Sequence, residues 1–294
     1  MKVARLERCL TSNLTVSKHI LPDTPLPMPE LPEVETIARA IKPELVGRTI
    51  VSADLRWART LAIPSSAQFK KQIVGQEILD VSRRAKYLII KLETCSFLVH
   101  LRMSGDLIIR AGKIKPEKHD RLLLHLSDDN YLAFNDTRKF GRVWLTDRPE
   151  TILGKLGPEP LEKDFTAQWL FENLQTRKRY LKPLLLDQTF IAGLGNIYTD
   201  ECLHIAQLHP MAASNNVTQQ QAVELHKAIR AVLKEGIRRN GASIDWVYRG
   251  GEYQNHFRVY GRDGNPCDVC GTTIQKFTVG QRGTHICPNC QRLR

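Results

Sequence analysis

The 294-residue sequence contains no apolar run near the roughly 18 residues that a membrane span needs. Stretches such as Tyr87-Leu88-Ile89-Ile90 are soon interrupted by charge, and a bilayer-crossing protein is not expected. Acid is in short supply. Only 31 Asp and Glu stand against 43 Lys and Arg, which leaves a net charge of +12 and a pI near 9.5. A polyanion is the first partner to which that balance points. Cysteine is sparse and odd in number, seven in all, which argues against a disulfide framework and for a reducing compartment. What is present, 42% hydrophobic and 25% charged residues, excludes a disordered tail, a collagen or a disulfide-held mini-protein. The length suits two domains.

Residues 1–27 carry prolines at 22, 25 and 27 that forbid a helix continuing into residue 28 and beyond, and the segment reads as disordered. It lacks the apolar centre of a secretory signal, while its basic, acid-poor composition leaves an organelle-transit reading open. From residue 31 a helix is predicted, with Pro32 in its first turn, Glu33 and Glu35 near its positive end, and Val34, Ile37, Ile41 and Leu45 on one face. Short β-rich runs come next between Gly47 and Leu145, at 87–92, 96–101, 121–126 and 142–145, and predict an antiparallel sandwich or barrel. After Leu156-Gly157-Pro158-Glu159-Pro160 the period becomes helical, around 168–174 and again from Thr218, whose capping box with Gln221 opens a helix ending at Asn240-Gly241. A small β-hairpin module closes the chain, and no internal repeat is present.

Cys267-x2-Cys270-x16-Cys287-x2-Cys290 has the spacing of two knuckles closing on one tetrahedral zinc. Four sulfur ligands leave no open position, so that zinc is structural. Between the pairs, Gln281-Arg282-Gly283-Thr284 reads as a hairpin tip able to present Arg282 to a phosphate. In Gly193-Leu-Gly195-Asn196-Ile-Tyr198, two glycines precede a helix start, where backbone N–H groups and the Asn196 amide suit a phosphate. Taken alone this is a packing turn; beside Arg177-Lys178-Arg179 and Lys182 in a basic chain it reads as a nucleic-acid surface. Arg83-Arg84-Ala85-Lys86-Tyr87 and Arg138-Lys139-Phe140-Gly141-Arg142 are, singly, surface charge. Met103 and Phe140, beside arginines and glycines in loops, are either ordinary surface residues or wedges for a base stack.

These residues also form a family pattern. Met28-Pro-Glu-Leu-Pro-Glu-Val-Glu-Thr, Arg83-Arg-Ala-Lys-Tyr, His100-Leu-Arg-Met-Ser-Gly, Lys182-Pro-Leu-Leu-Leu-Asp, Gly193-Leu-Gly-Asn-Ile-Tyr and the four-cysteine tail resemble, in order, bacterial formamidopyrimidine-DNA glycosylase over residues 28–294. The resemblance implies an α+β fold. Its parts are an N-terminal β-sandwich with a flanking helix (28–157), a helix-two-turn-helix domain (158–250) and a C-terminal zinc-finger hairpin (251–294), with a lid loop at about 241–257. It further implies a monomer in the bacterial cytoplasm with the nucleoid, one structural Zn2+, and excision of 8-oxoguanine and formamidopyrimidines from damaged double-stranded DNA.

By the same resemblance Pro29 is the nucleophile through its secondary amine and Glu30 the general acid/base, with Glu33 helping to orient the amine. Lys86 is the proton donor of β-elimination and Arg282 serves δ-elimination. His119, Arg138, Arg177, Lys182 and Asn196 match phosphate or lesion-strand contacts. Met103, Arg138 and Phe140 match the residues that fill the gap after base flipping; Tyr198 and Glu201 are supporting residues. Two departures stand out. With residues 1–27 attached, the Pro29 nitrogen is a tertiary amide and cannot form an iminium, so translation from Met28 or cleavage of the extension is expected. The lid stretch, with Tyr248-Arg-Gly-Gly-Glu-Tyr253, is shorter than in some relatives. Alternatives left open are an oxidised-pyrimidine glycosylase of the endonuclease VIII type and a non-catalytic damaged-DNA binder.

Overall fold

Helix α1 (Leu31–Leu45) forms where the periodicity places it: Val34, Ile37, Ala38, Ile41 and Leu45 are buried along one face, and Pro32 occupies the first turn, where no intrahelical N–H is lost. The computed structural model to which it belongs describes residues 28–112, 115–243 and 250–293. The expected extension, residues 1–27, and the part of the expected lid at 244–249 lie outside the described residues.

After α1 come β1 (Ile50–Leu55), β2 (Leu61–Ile63), α2 (Ser66–Ile73), β3 (Ile78–Arg84), β4 (Tyr87–Leu92), β5 (Ser96–His100), β6 (Gly105–Arg110), β7 (Asp120–Leu126), β8 (Tyr131–Asp136) and β9 (Arg142–Thr146). They build two sheets, ordered β1-β7-β8-β6 and β2-β9-β5-β4-β3. Alternating residues such as Val81, Leu88, Ile90, Leu122, Leu124 and Phe134 fill the space between them. The expectation of a purely antiparallel sandwich needs one correction. β2 runs parallel to β9, because the chain crosses from one sheet to the other after β1 and arrives as a three-residue edge strand that Pro64, lacking an N–H, brings to an end.

The helical part comprises α3 (Glu150–Leu153), α4 (Ala167–Gln175), α5 (Leu181–Leu185), α6 (Asn196–Ile205) and α7 (Gln219–Arg238); β10 (Gln275–Val279) and β11 (Arg282–Ile286) form the final hairpin. α7 opens with the expected reciprocal cap: the Gln221 N–H donates to Thr218 Oγ1 at 3.2 Å and the Thr218 N–H to Gln221 Oε1 at 2.9 Å. The hairpin turn is Gly280-Gln281, both at positive φ, rather than residues 281–284. Arg282 therefore opens a strand, paired with Val279, instead of sitting at the apex.

Among the described residues the two large apolar cores share α1, and a small third cluster of Val259, Cys267, Ile274 and Cys287 lies in the finger. Leu31 packs with Leu184, Phe190, Ile197 and Leu233 in the helical core, whereas Val34 and the later buried residues of α1 pack into the sandwich. The first turn of α1, and with it the Pro29-Glu30 pair, is thereby wedged at the junction of the two domains.

Candidate active site

Pro29 and Glu30 are both buried at that junction. The Glu30 carboxylate accepts N–H bonds from Gly195 (2.6 Å), Ile197 (2.8 Å) and Tyr198 (3.3 Å). These are the free donors at the start of α6, and their partial positive charge favours an anion. The phosphate expected at this glycine turn is thus displaced by a carboxylate from 165 residues earlier. Gly195 is required for the approach, since a Cβ there would overlap the Glu30 side chain. Burial nevertheless dominates the electrostatics. It raises the Glu30 pKa to about 7, against the opposing pull of the Lys86 charge and with a further push from Glu33.

Glu33 binds the backbone next to Pro29. One of its oxygens accepts the Glu30 N–H at 2.9 Å; the other accepts the Tyr198 hydroxyl at 2.8 Å and the Ala242 N–H at 2.7 Å. It therefore ties α1, α6 and the end of α7 together. Burial raises its pKa as well, and raises that of Tyr198 far above the ordinary phenol.

Lys86 occupies the two-residue turn between β3 and β4, after Ala85 in a left-handed conformation at φ +53°. Burial lowers its pKa; the charges of Glu30 and Glu33 oppose this and that of Arg282 adds to it. Arg282, although exposed, is therefore within electrostatic reach of the same centre. The turn is clamped from outside by Glu159, in the Gly-Pro-Glu-Pro connection between domains. The Glu159 carboxylate meets Arg83 Nη1 at 2.7 Å, Arg84 Nη1 at 3.0 Å and the Ala85 N–H. Arg83 also reaches Glu35 at 2.7 Å. Arg83 and Arg84 are thus not free surface charge. They form an interdomain ion network that fixes the turn carrying Lys86.

Lys182 and Asn196 both turn their nitrogens to the zinc-finger hairpin. The Lys182 side chain is fully buried: Nζ pairs with Asp200 Oδ1 at 2.6 Å and donates to the Gly283 carbonyl at 2.8 Å. Asn196 Nδ2 donates to the same carbonyl at 3.0 Å. The second Asp200 oxygen accepts the His285 N–H at 3.0 Å. Glu201 holds the approach to the finger by accepting the N–H groups of Arg258, Val259 and Tyr260 at 2.9, 3.0 and 2.9 Å. α6 is therefore the spine on which the Arg282 hairpin is docked.

The residues matched to base-stack filling come together on the sandwich side. Buried Asp136 accepts from Ser104 Oγ (2.5 Å) and the N–H groups of Arg138 (3.1 Å) and Gly141 (2.8 Å), binding the Met103 loop to the Arg138–Phe140 loop. Phe140 is 50% exposed, with the Arg138 guanidinium 5.1 Å above its ring. His119 is adjacent, its carbonyl accepting the Asp136 N–H at 2.9 Å. Arg177 stands apart in the helical domain, over the Phe190 ring at 4.9 Å and bonded to the Asn173 carbonyl at 2.8 Å.

The four clustered cysteines fit a metal. Their sulfurs all lie within 4.8 Å of one another, with Cys270 to Cys287, Cys270 to Cys290 and Cys267 to Cys290 at 3.4, 3.5 and 4.0 Å. A tetrahedron with zinc–sulfur bonds of about 2.3 Å has edges of about 3.8 Å. The N–H groups of Val269 and Cys290 donate to Cys267 and Cys287 at 3.5 Å, as knuckle turns around a thiolate do.

Comparison with known proteins assigns all three parts of the chain to one family. Residues 28–143 match the formamidopyrimidine-DNA glycosylase N-terminal domain, 156–247 its H2TH domain, and 264–293 the zinc finger found in FPG and IleRS. The chain belongs to the formamidopyrimidine-DNA glycosylase family. The formamidopyrimidine-DNA glycosylase of Pelotomaculum thermopropionicum is 43% identical over 276 residues, which cover 91% of this chain and all of the relative. That of Chloroflexus aurantiacus is 46% identical over 272 residues, covering 90% and 98%. MutM in complex with DNA containing carbocyclic 8-oxo-G is similar in structure at a TM-score of 0.85 and 39% identity, covering 90% of this chain and 100% of that one. Lactococcus lactis Fpg bound to abasic-site DNA matches at 0.84 and 39%, covering 90% and 99%.

The expected α+β fold and the structural zinc of this glycosylase family are therefore borne out. Among the described residues no helix is long and apolar enough to cross a membrane. Sequence reasoning missed Glu159 and Asp200. An acid between two prolines at a domain connection was a usable signal for the first. For Asp200 none existed beyond its place on a helix with an unusually polar buried face.

Proposed function

We propose that this glycosylase excises oxidised purines, 8-oxoguanine and formamidopyrimidines, from duplex DNA and cleaves the abasic site it creates. The observation that carries this reading is the buried Pro29-Glu30 pair at the domain junction, with Lys86 and Arg282 in electrostatic contact with one centre. The neutral Pro29 amine attacks deoxyribose C1′, the C1′–N bond breaks, and the departing base takes a proton supplied by Glu30. The N–H proton of the attached amine passes by way of the Glu30 carboxylate to the ring oxygen as the C1′–O4′ bond breaks, and the resulting iminium acidifies C2′ for elimination of the 3′ phosphate and then of the 5′ phosphate. Lys86 moves a proton in the first elimination and Arg282 meets the phosphate in the second. Arg138, Phe140 and Met103 fill the vacated stack, and His119 and Arg177 contact the backbone. Zinc supplies structure only, holding the hairpin that carries Arg282. The enzyme acts in the cytoplasm, with the nucleoid.

The test is base release from duplexes containing 8-oxoguanine or thymine glycol, with borohydride trapping of the intermediate. Preferential release of 8-oxoguanine and a trapped adduct are expected; preference for thymine glycol would return the endonuclease VIII reading.

Lys182 and Asn196 we assign to fixing the Gly283 carbonyl, and so the adjacent Arg282, rather than to phosphate. Asp200→Asn leaves buried Lys182 without its counter-charge and loosens that anchor. The expected outcome is a fall of about 10-fold to 100-fold in δ-elimination, the scale on which misplaced groups lose rate, with a smaller change in base release. Quantifying 3′-phosphate against unsaturated-aldehyde ends on a sequencing gel checks it, and an unchanged ratio contradicts it.

A further inference from the structure

His204 lies in the last turn of α6 and is 3% exposed. Its Nε2 is 3.5 Å from Cys267 Sγ, whereas its Nδ1 is buried with no hydrogen-bond partner among the described residues. That asymmetry identifies the tautomer. A neutral imidazole carries one proton. Placed on Nδ1, it would strand a buried donor and turn the Nε2 lone pair against an anionic sulfur. Placed on Nε2, the only N–H of the ring meets the thiolate, and an unpaired acceptor remains, the lesser penalty. A doubly protonated ring would again leave an unpaired N–H.

We propose that His204 is an outer-sphere partner of the zinc site, donating Nε2–H to the Cys267 thiolate and retarding loss of the metal. The four sulfurs form a complete tetrahedral set of which His204 is not a member. Cys267 thus receives two N–H donors, from His204 and from Val269, both at 3.5 Å. Donors of this kind draw charge from the ligand and hold its orientation. Here the donor comes from the helical domain, 63 residues earlier. The same helix carries Asp200 and Glu201, which dock the finger, so metal retention is linked to docking on α6. The inference concerns the zinc site alone and does not depend on the lesion that the enzyme removes.

The experiment follows zinc release from the holoenzyme into excess chelator with a coloured metal indicator. His204→Phe keeps a ring of similar size without the donor, His204→Leu is a second donor-free variant, and His204→Gln places an amide N–H near the position of Nε2. Both donor-free variants should release zinc about 10–100-fold faster than the parent, and His204→Gln should lie near the parent. In the cobalt-substituted protein, the sulfur-to-cobalt charge-transfer band should move to lower energy in the donor-free variants, because a thiolate without its hydrogen bond is easier to oxidise. Retained borohydride trapping identifies a folded variant, and if one donor-free variant fails this check the other decides. Release at the parental rate in a folded donor-free variant overturns the proposal. So does equally fast release from His204→Gln, or a parental cobalt spectrum showing one nitrogen ligand that disappears in His204→Leu.

Discussion

Protein whose first residue is Pro29 is expected to form a borohydride-stable adduct with an 8-oxoguanine duplex, and protein that retains residues 1–27 is expected to form none. The difference is electronic. Joined to Met28, the Pro29 nitrogen shares its lone pair with a carbonyl and has nothing to offer C1′. As a free α-amine it has an ordinary pKa of about 7.7–8.0, so roughly a tenth is neutral at pH 7, against about 0.04% for an unperturbed lysine. The N-terminal domain match begins at Met28, one residue before this proline. Intact mass and N-terminal sequencing of the active protein, paired with trapping, make the test complete. The structure also names the amine to suspect if the extended protein traps after all. Burial lowers the Lys86 pKa, which enlarges its neutral fraction, and Glu30 and Glu33 only partly counter this. Trapping that persists with Met1 in place and vanishes in Lys86→Ala would move the nucleophile from Pro29 to Lys86.

How much of this was legible in the sequence depends on the range of the interaction. The cysteine knuckles, the apolar face of α1, the Thr218–Gln221 cap and the left-handed stop at Asn240-Gly241 are local, and each left a local signature that the structure bears out. Contacts between domains left little beyond the acid at Glu159, set between two prolines. Glu30 reads only as the acid beside Pro29, yet its oxygens satisfy the N–H groups at the start of α6, so the apparent phosphate turn is already filled. Lys182 reads as exposed charge beside a basic run, yet it is buried against Asp200 and the Gly283 carbonyl. Arg83 and Arg84 read as surface charge, yet Glu159 recruits them across the junction. In each case the residue type was compatible with two environments, and the partner that decides between them lies too far along the chain for any periodicity to reveal it. The parallel β2–β9 pair is the strand equivalent. Pairing direction depends on how the chain crosses between sheets, which three residues of edge strand do not encode.

Glu30→Gln should lower excision of 8-oxoguanine by about 10²–10⁴-fold, the usual range for a positioned acid/base group, and should remove the alkaline limb of the pH profile. The sign comes from the direction of the shift. Burial lifts the Glu30 pKa from 4.5 to about 7, so near neutral pH about half of the molecules hold a proton there and lose it as pH rises through 7. The Pro29 amine changes the other way: its neutral fraction grows as pH approaches its ordinary range of about 7.7–8.0. A catalytic step that needs the acid protonated and the amine neutral therefore has a narrow bell-shaped dependence centred between the two values. Glutamine cannot titrate, so only the ascending amine limb should remain. It also cannot reproduce the structure fully, because three N–H groups converge on two carboxylate oxygens and the amide nitrogen would turn a donor toward one of them. Cleavage of a preformed abasic site separates the two effects. With no base to protonate, that substrate should be affected much less than 8-oxoguanine if Glu30 is the acid, and equally if the substitution merely disorders the start of α6.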